Sequence, residues 1–130
     1  MYCLDTNVII DLFDGKEEIR NKLEKINTKE LCITPIILCE LYKGATHNQL
    51  TERRMEFIRQ LLNEVEMLNM NEHACKIFGE DYLKLKKIGK PISDGDLMIS
   101  ATCKAYNAVL ITKDKKDFMQ ISELKLEIWQ

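Results

Sequence analysis

Ala108-Val109-Leu110-Ile111 is an unbroken apolar run, and Thr112-Lys113-Asp114-Lys115-Lys116-Asp117 follows it directly. A strand with one face in water alternates apolar and polar residues. A run without alternation suits a strand of a parallel sheet covered on both faces. Outward from this run, short strands and helices take turns along the chain. Ser93-Asp94-Gly95-Asp96 has the capping-box form Ser-x-x-Asp and predicts a helix from there through Tyr106, just ahead of the strand. Residues 73 to 88 place Ala74, Ile77, Phe78, Leu85 and Ile88 on one helical face, and Met55, Ile58, Leu61, Leu62 and Val65 mark another helix. Thr34-Pro35 predicts a helix start, with Thr as N-cap and Pro at the first helical position, and this helix runs from Ile36 to about Ala45. Leu31-Cys32-Ile33 is a short strand before it, and Ile19, Leu23 and Ile26 recur at helical spacing. Tyr2-Cys3-Leu4 is a first strand entering Asp5-Thr6-Asn7, beyond which Val8-Ile9-Ile10 and Leu12-Phe13 read as helix. Glu127-Ile128-Trp129 reads as a last, edge strand. The alternation predicts an α/β sandwich with a mostly parallel sheet.

The chain of 130 residues makes a single domain, residues 1–130. A chain this long buries about two-thirds of the surface it exposes when unfolded, enough for a core without disulfides or a structural metal. Hydrophobic residues at 45% and charged residues at 31%, with only five Gly and two Pro, describe a folded chain and not a disordered tail. Lys and Arg number 19 against 21 Asp and Glu, a net charge of −2, which argues against a non-specific nucleic-acid coat. Strand-like residues begin at Tyr2, so no signal peptide is expected. The longest apolar stretches, such as Pro35-Ile36-Ile37-Leu38-Cys39, fall far short of the ~20 residues of a membrane span. Five cysteines (3, 32, 39, 75 and 103) with no CxxC pair are expected to be reduced and mostly buried, in a cytoplasmic protein. His47 and His73 lack partners at zinc spacing, so zinc is not expected.

In open parallel sheets, ligands sit beyond the carboxyl ends of the strands. Asp5 directly follows the first strand, Asp114 and Asp117 follow the apolar run, and Asp96 opens a helix. Each alone is equally a helix cap or a partner of the helix dipole. Glu40 resists that account. At 100° per residue from Ile36, Ile37, Leu41 and Gly44 fall at about 100°, 140° and 80°, and Glu40 at about 40°, inside the apolar arc. An unpaired carboxylate facing inward costs several kcal/mol, and no Arg or Lys is placed to reach it. A hard cation shared with the other carboxylates, Mg²⁺ or Mn²⁺, is the economical compensation, and such a site suits phosphoryl chemistry. No Ser/His or Cys/His pair is visible, which leaves water as the nucleophile.

Four segments then resemble one family. Tyr2-Cys3-Leu4-Asp5-Thr6-Asn7-Val8-Ile9-Ile10 is similar to the LDTN-hydrophobic opening of PIN-domain ribonucleases, and Glu40-Leu41-Tyr42-Lys43-Gly44-Ala45 to their E-L-x-x-G-A helix. Asp96-Leu97-Met98-Ile99-Ser100-Ala101 matches D-x-x-I-A-A, and Ile111-Thr112 with Asp117-Phe118 matches the (V/I)-T…(D/E)-F segment. Order and spacing agree along the whole chain, and four motifs in register are a strong signal. Length and spelling look closest to the VapC toxins of type II toxin–antitoxin pairs. The resemblance implies a PIN fold, Mg²⁺- or Mn²⁺-dependent cleavage of RNA, a homodimer, and a small cognate antitoxin of the VapB kind. Carried over residue by residue, Asp5, Glu40, Asp96 and Asp117 would be the catalytic, metal-binding acids. Thr112 would place its hydroxyl near the metal or its water, and Asn7 would hold the loop behind the ligands.

Many relatives have two Asn after the Thr where this chain has Lys113 and Asp114, which makes Asp114 a candidate fifth ligand beside Asp117. Ser100 stands where Ala is usual, Asp94 is left as a capping residue, and Asp81, on an otherwise apolar face, is expected to make a buried hydrogen bond or salt bridge. Lys113, Lys115 and Lys116 beside the ligands, with Arg53 and Arg54, are candidates for holding RNA phosphates. Lys84, Lys86, Lys87 and Lys90 read as a solvated helix edge. A phospho-receiver would need paired acids after the first strand, and a haloacid-dehalogenase-like phosphatase would need Asp-x-Asp; Thr6-Asn7 supplies neither. A PIN nuclease of RNA processing and a catalytically silent PIN binding module stand as the alternatives.

Overall fold

A computed structural model describes residues 1–46 and 51–130; His47 lies outside the described residues. The elements are β1 (Tyr2–Leu4), α1 (Thr6–Phe13), α2 (Glu17–Glu24), β2 (Leu31–Ile33), α3 (Pro35–Ala45), α4 (Thr51–Glu64), β3 (Glu66–Met67), α5 (Glu72–Lys87), α6 (Asp94–Tyr106), β4 (Val109–Thr112), α7 (Lys115–Phe118) and β5 (Leu126–Ile128). The strands form one sheet in the order β3-β2-β1-β4-β5, with every neighbouring pair parallel. Helices cover it to give an α/β/α sandwich.

The apolar runs land where two-sided burial requires. β1 lies at the centre, pairing Tyr2 with Leu31 on one side and with Val109 on the other. Cys3, Cys32, Ile33, Leu110 and Ile111 have no exposed surface. Because all strands run the same way, the chain leaves β1, β2 and β4 at one edge, at Asp5, Thr34 and Lys113. The Asp5 N–H continues the sheet by donating to the Ile111 carbonyl at 2.9 Å.

The helix starts follow from capping. Thr34 Oγ1 accepts from the Ile37 N–H and Ser93 Oγ from the Asp96 N–H, satisfying donors that have no partner within the helix. Three elements escaped the reading of the sequence. The edge strand β3 has only two residues, too few to show a period. A 3₁₀ turn at Thr28–Glu30 is capped by Asn27, and α7 is a single turn capped by Asp114.

One expectation needs correction. Ile88, assigned to the apolar face of α5, is 60% exposed, because the helix ends at Lys87 and Gly89 turns the chain away with φ +68°. The five cysteines are free, and most are buried as expected: Cys3, Cys32 and Cys103 are buried, Cys39 and Cys75 exposed.

Asp81 behaves as its position on α5 requires. Its carboxylate meets the Lys104 ammonium of α6 at 2.8 Å, and both side chains are almost fully buried. Breaking such a pair from one side strands the other charge. Lys104→Met is therefore expected to lower the unfolding free energy by about 3 kcal/mol, with Asp81→Leu in the same chain recovering most of the loss. Urea titration of the two single variants and the double variant measures this, and equal, additive losses would contradict it.

Candidate active site

Asp5 is the N-cap of α1 and only 5% exposed. Its Oδ1 accepts from the Thr6 N–H at 2.8 Å, and its Oδ2 accepts from the Thr112 hydroxyl at 2.6 Å. Thr112 Oγ1 in turn accepts from the Asp114 N–H at 3.0 Å and from Asn7 Nδ2 at 3.4 Å. Asn7 Oδ1 accepts from the Lys113 N–H at 3.2 Å. The turn after β1 and the turn after β4 are thus stitched to each other through side chains.

Glu40 projects from the second turn of α3 and is half-buried, where the thiol of its neighbour Cys39 is exposed. Its Oε1 accepts from the Thr6 hydroxyl at 2.6 Å, so residue 6 links the first and second acids. Asp96 sits in the first turn of α6, also half-buried, while Asp94 is exposed. α6 starts close against α3: a Cβ built on Gly95 would lie 3.8 Å from Ile36 Cγ2. That approach brings Asp96 towards Glu40. Asp114 spends one oxygen capping α7, accepting from the Asp117 N–H at 3.2 Å. Asp96, Asp114 and Asp117 each offer a carboxylate oxygen within 4.8 Å of the other two.

The electrostatics join these groups into one site. Burial raises the Asp5 pKa; the bonds from Thr112 and Thr6 oppose it, and the charges of Glu40 and Asp114 add to the rise. Asp96 is pushed up to about 6, first by burial and then by Asp5, with Glu40 and Asp114 adding to it against the Ser93 bond. Among the described residues no lysine or arginine forms an ion pair with any of the five acids. Oxygen donors crowded together without a basic partner fit a hard divalent cation.

The structure brings together Asp5, Asn7, Glu40, Asp96, Thr112, Asp114 and Asp117. It does not bring in every base. The Lys113 ammonium is paired with Asp11 at 2.7 Å, its side chain 35% exposed. The guanidinium carbons of Arg53 and Arg54 lie 5.9 and 5.0 Å from the Phe13 ring centroid, where α4 meets α1. Lys115 and Lys116 are exposed and share a shallow surface with Lys113, Asp114, Met119 and Gln130. Thr6 and Asp11 went unnoticed in the sequence. A hydroxyl beside the first acid was the available signal for Thr6, and an acid in an apolar helix, four residues after Asn7, was the signal for Asp11.

The raised pKa of Asp96 has a sign that can be measured. In protein freed of divalent ions, the folded state holds a proton that the unfolded chain has already lost. The stability this contributes is full below about pH 4 and is lost as the pH climbs through about 6. Asp96→Asn is therefore expected to stabilise the chelated protein by about 1 kcal/mol at pH 7.5, a figure reduced for solvent screening of a half-buried group. The gain should vanish near pH 4. Thermal melts in EDTA across that range measure it, and destabilisation at pH 7.5 would contradict the assignment.

A family model, the PIN domain, matches residues 2–124. The ribonuclease VapC1 of Haemophilus influenzae is 35% identical over 99% of this chain and 98% of its own length. The tRNA(fMet)-specific endonuclease VapC of Shigella flexneri is 25% identical over 98% of this chain and 97% of its own. Among solved structures, VapBC2 from Rickettsia felis, bound to a DNA fragment from their promoter, superposes with a TM-score of 0.92 at 27% identity, covering 99% of this chain and 98% of that one. VapBC-1 from nontypeable Haemophilus influenzae gives a TM-score of 0.87 at 35% identity, covering 98% and 97%. The motifs at Asp5, Glu40, Asp96 and Asp117 fall within the matched span, and the chain belongs to the PIN-domain family, in its VapC branch.

Proposed function

We propose that this protein is the endoribonuclease toxin of a toxin–antitoxin pair, hydrolysing RNA phosphodiesters with water activated by Mg²⁺ or Mn²⁺. The observation that carries this reading is the convergence of five carboxylates at the end of the sheet, with no basic side chain among the described residues paired to any of them. The likeness to VapC ribonucleases, along nearly the whole of both chains, supports RNA as the substrate.

Asp5, Glu40, Asp96, Asp114 and Asp117 would hold the cation. When bound, it would offset their mutual repulsion, polarise the scissile phosphate and lower the pKa of a water molecule. The chain's own residues supply orientation. Thr112 and the Thr6 N–H fix both oxygens of Asp5, and the Thr6 hydroxyl fixes Glu40. Asn7 keeps the β4–α7 turn against α1. Lys115 and Lys116, exposed beside Asp114, would meet RNA phosphates, and RNA binding would be metal-dependent because the bare pocket repels a polyanion. Attack by water at phosphorus with cleavage of the P–O3′ bond, the departing 3′ oxygen taking up a proton, would leave a 5′-phosphate and a 3′-hydroxyl, the products the family resemblance implies.

The partner would be a small antitoxin of the VapB kind, a reading the VapBC neighbours support, and the working form would be a homodimer, as the resemblance to the family implies. No helix among the described residues is long and apolar enough to cross a membrane. Purified protein is expected to cut structured RNA in Mn²⁺ or Mg²⁺ and to stop in EDTA. Asp5→Asn should lower the rate by at least about 100-fold. Full activity in EDTA, or in Asp5→Asn, would sink the metal mechanism. RNA binding without cleavage in any divalent ion would favour the silent binding module. Growth arrest on expression, relieved by a small protein encoded next door, separates a toxin from an RNA-processing enzyme.

A further inference from the structure

Asp11 lies near the end of α1, 6% exposed, and its carboxylate is held from two sides. Lys16 Nζ meets Oδ1 at 2.9 Å and Lys113 Nζ meets Oδ2 at 2.7 Å. Burial alone would raise the Asp11 pKa, but the bonds and charges of Lys113 and Lys16 outweigh it and hold the acid below its ordinary range. The two lysines are not equivalent. Lys16 is in the loop directly after α1, its side chain is 54% exposed, and its N–H also bonds the Asp11 carbonyl. Lys113 arrives from 102 residues away, at the turn between Thr112 and Asp114. Its backbone N–H is bound by Asn7, one helical turn before Asp11 on the same face of α1. α1 therefore grips residue 113 twice, by main chain and by side chain. The next residue, Asp114, caps α7 and so sets the position of Asp117.

We infer that Asp11 and Lys113 form a positioning clamp that holds the turn carrying Asp114 and Asp117 against α1, and that Lys113 does not serve as an RNA phosphate ligand. Neither residue touches the carboxylate oxygens that would bind a cation. They act through the main chain of residues 112–117. A partly exposed lysine 35% open to solvent is ordinarily free to meet a polyanion, but here its charge is already committed to a buried acid. The inference rests on the carboxylate-site reading only for its effect on metal binding; the clamp itself is a property of the metal-free fold.

Amide hydrogen exchange in EDTA tests the clamp directly. Asp11→Asn and Lys113→Met are each expected to speed exchange at the Lys113 and Asp117 amides by at least about fivefold, with β1 and β4 unchanged. The two effects should not add in the double variant. Lys113→Arg should restore protection. Lys16→Met removes an equal charge from the same acid without loosening the far turn, and should leave these amides within about twofold of the parent. Calorimetry with Mn²⁺ then should show weaker binding in Asp11→Asn and Lys113→Met, by about the same factor in both. Unchanged exchange in Asp11→Asn and Lys113→Met would overturn the clamp, as would Lys16→Met matching them. Lys113→Met that keeps parental exchange but reduces the salt slope of RNA binding by about one would return Lys113 to the phosphates. A parent protein that binds no Mn²⁺ would count against the metal mechanism alone, because the exchange result decides the clamp without it.

Discussion

The hydroxyl of Thr112 is fully buried and makes three hydrogen bonds at once, donating one and accepting two. That is the whole capacity of a hydroxyl group. Its donated bond orients Asp5, and its accepted bonds fix the amide of Asp114 and the side chain of Asn7. Two neighbouring parallel strands bring residues 5 and 112 to the same level at the edge of the sheet. The hydroxyl then converts that closeness into a defined carboxylate geometry. Without such a tie, acids gathered at one sheet end would rotate apart to lower their repulsion. Holding the acids together costs stability while their charges face one another, the usual condition of a preorganised site.

Much of this was readable in the order of the amino acids, for particular reasons. Glu40 betrays itself because α3 is long enough to define an apolar arc, and a charge inside that arc has to be compensated. Ser93 and Asp96 are spaced as a capping box, so both the start of α6 and the level of its acid follow from local chemistry. Asp81 sits among apolar neighbours, and the prediction of a buried partner is met by Lys104. What stays hidden depends on tertiary neighbours. Thr6 looks like a routine helix-start residue until α3 lies beside it, and Lys113 looks like a free base until the far turn meets Asp11. Arg53 and Arg54 read as phosphate ligands by charge alone, but Phe13 offers their guanidinium groups a nearer, flat partner. The two-residue β3 has no period to detect, and it forms because β2 gives it an edge to pair with.

The near-neutral charge also acquires a distribution. With the four family acids set aside, 17 acids face 19 bases, so the rest of the chain is slightly basic. Asp114 deepens the contrast, since it joins the same pocket while Lys115 and Lys116 stand exposed beside it. The chain is therefore polar in the electrical sense, with a concentrated negative well and a weakly positive surround. A polyanion would be repelled from such a well and tolerated at its rim.

The bond between Thr112 and Asp5 spans 107 residues of sequence. A ribosome working at roughly 5–20 residues per second makes Thr112 about 5–20 s after Asp5. During that interval the nascent chain has its first acid but not the strand or the hydroxyl that orients it. A product truncated between α3 and β4 carries Asp5 and Glu40 with no pairing partner for β1 on the β4 side. Synthesis itself thus delays completion of the site until β4 and the turn after it have been made.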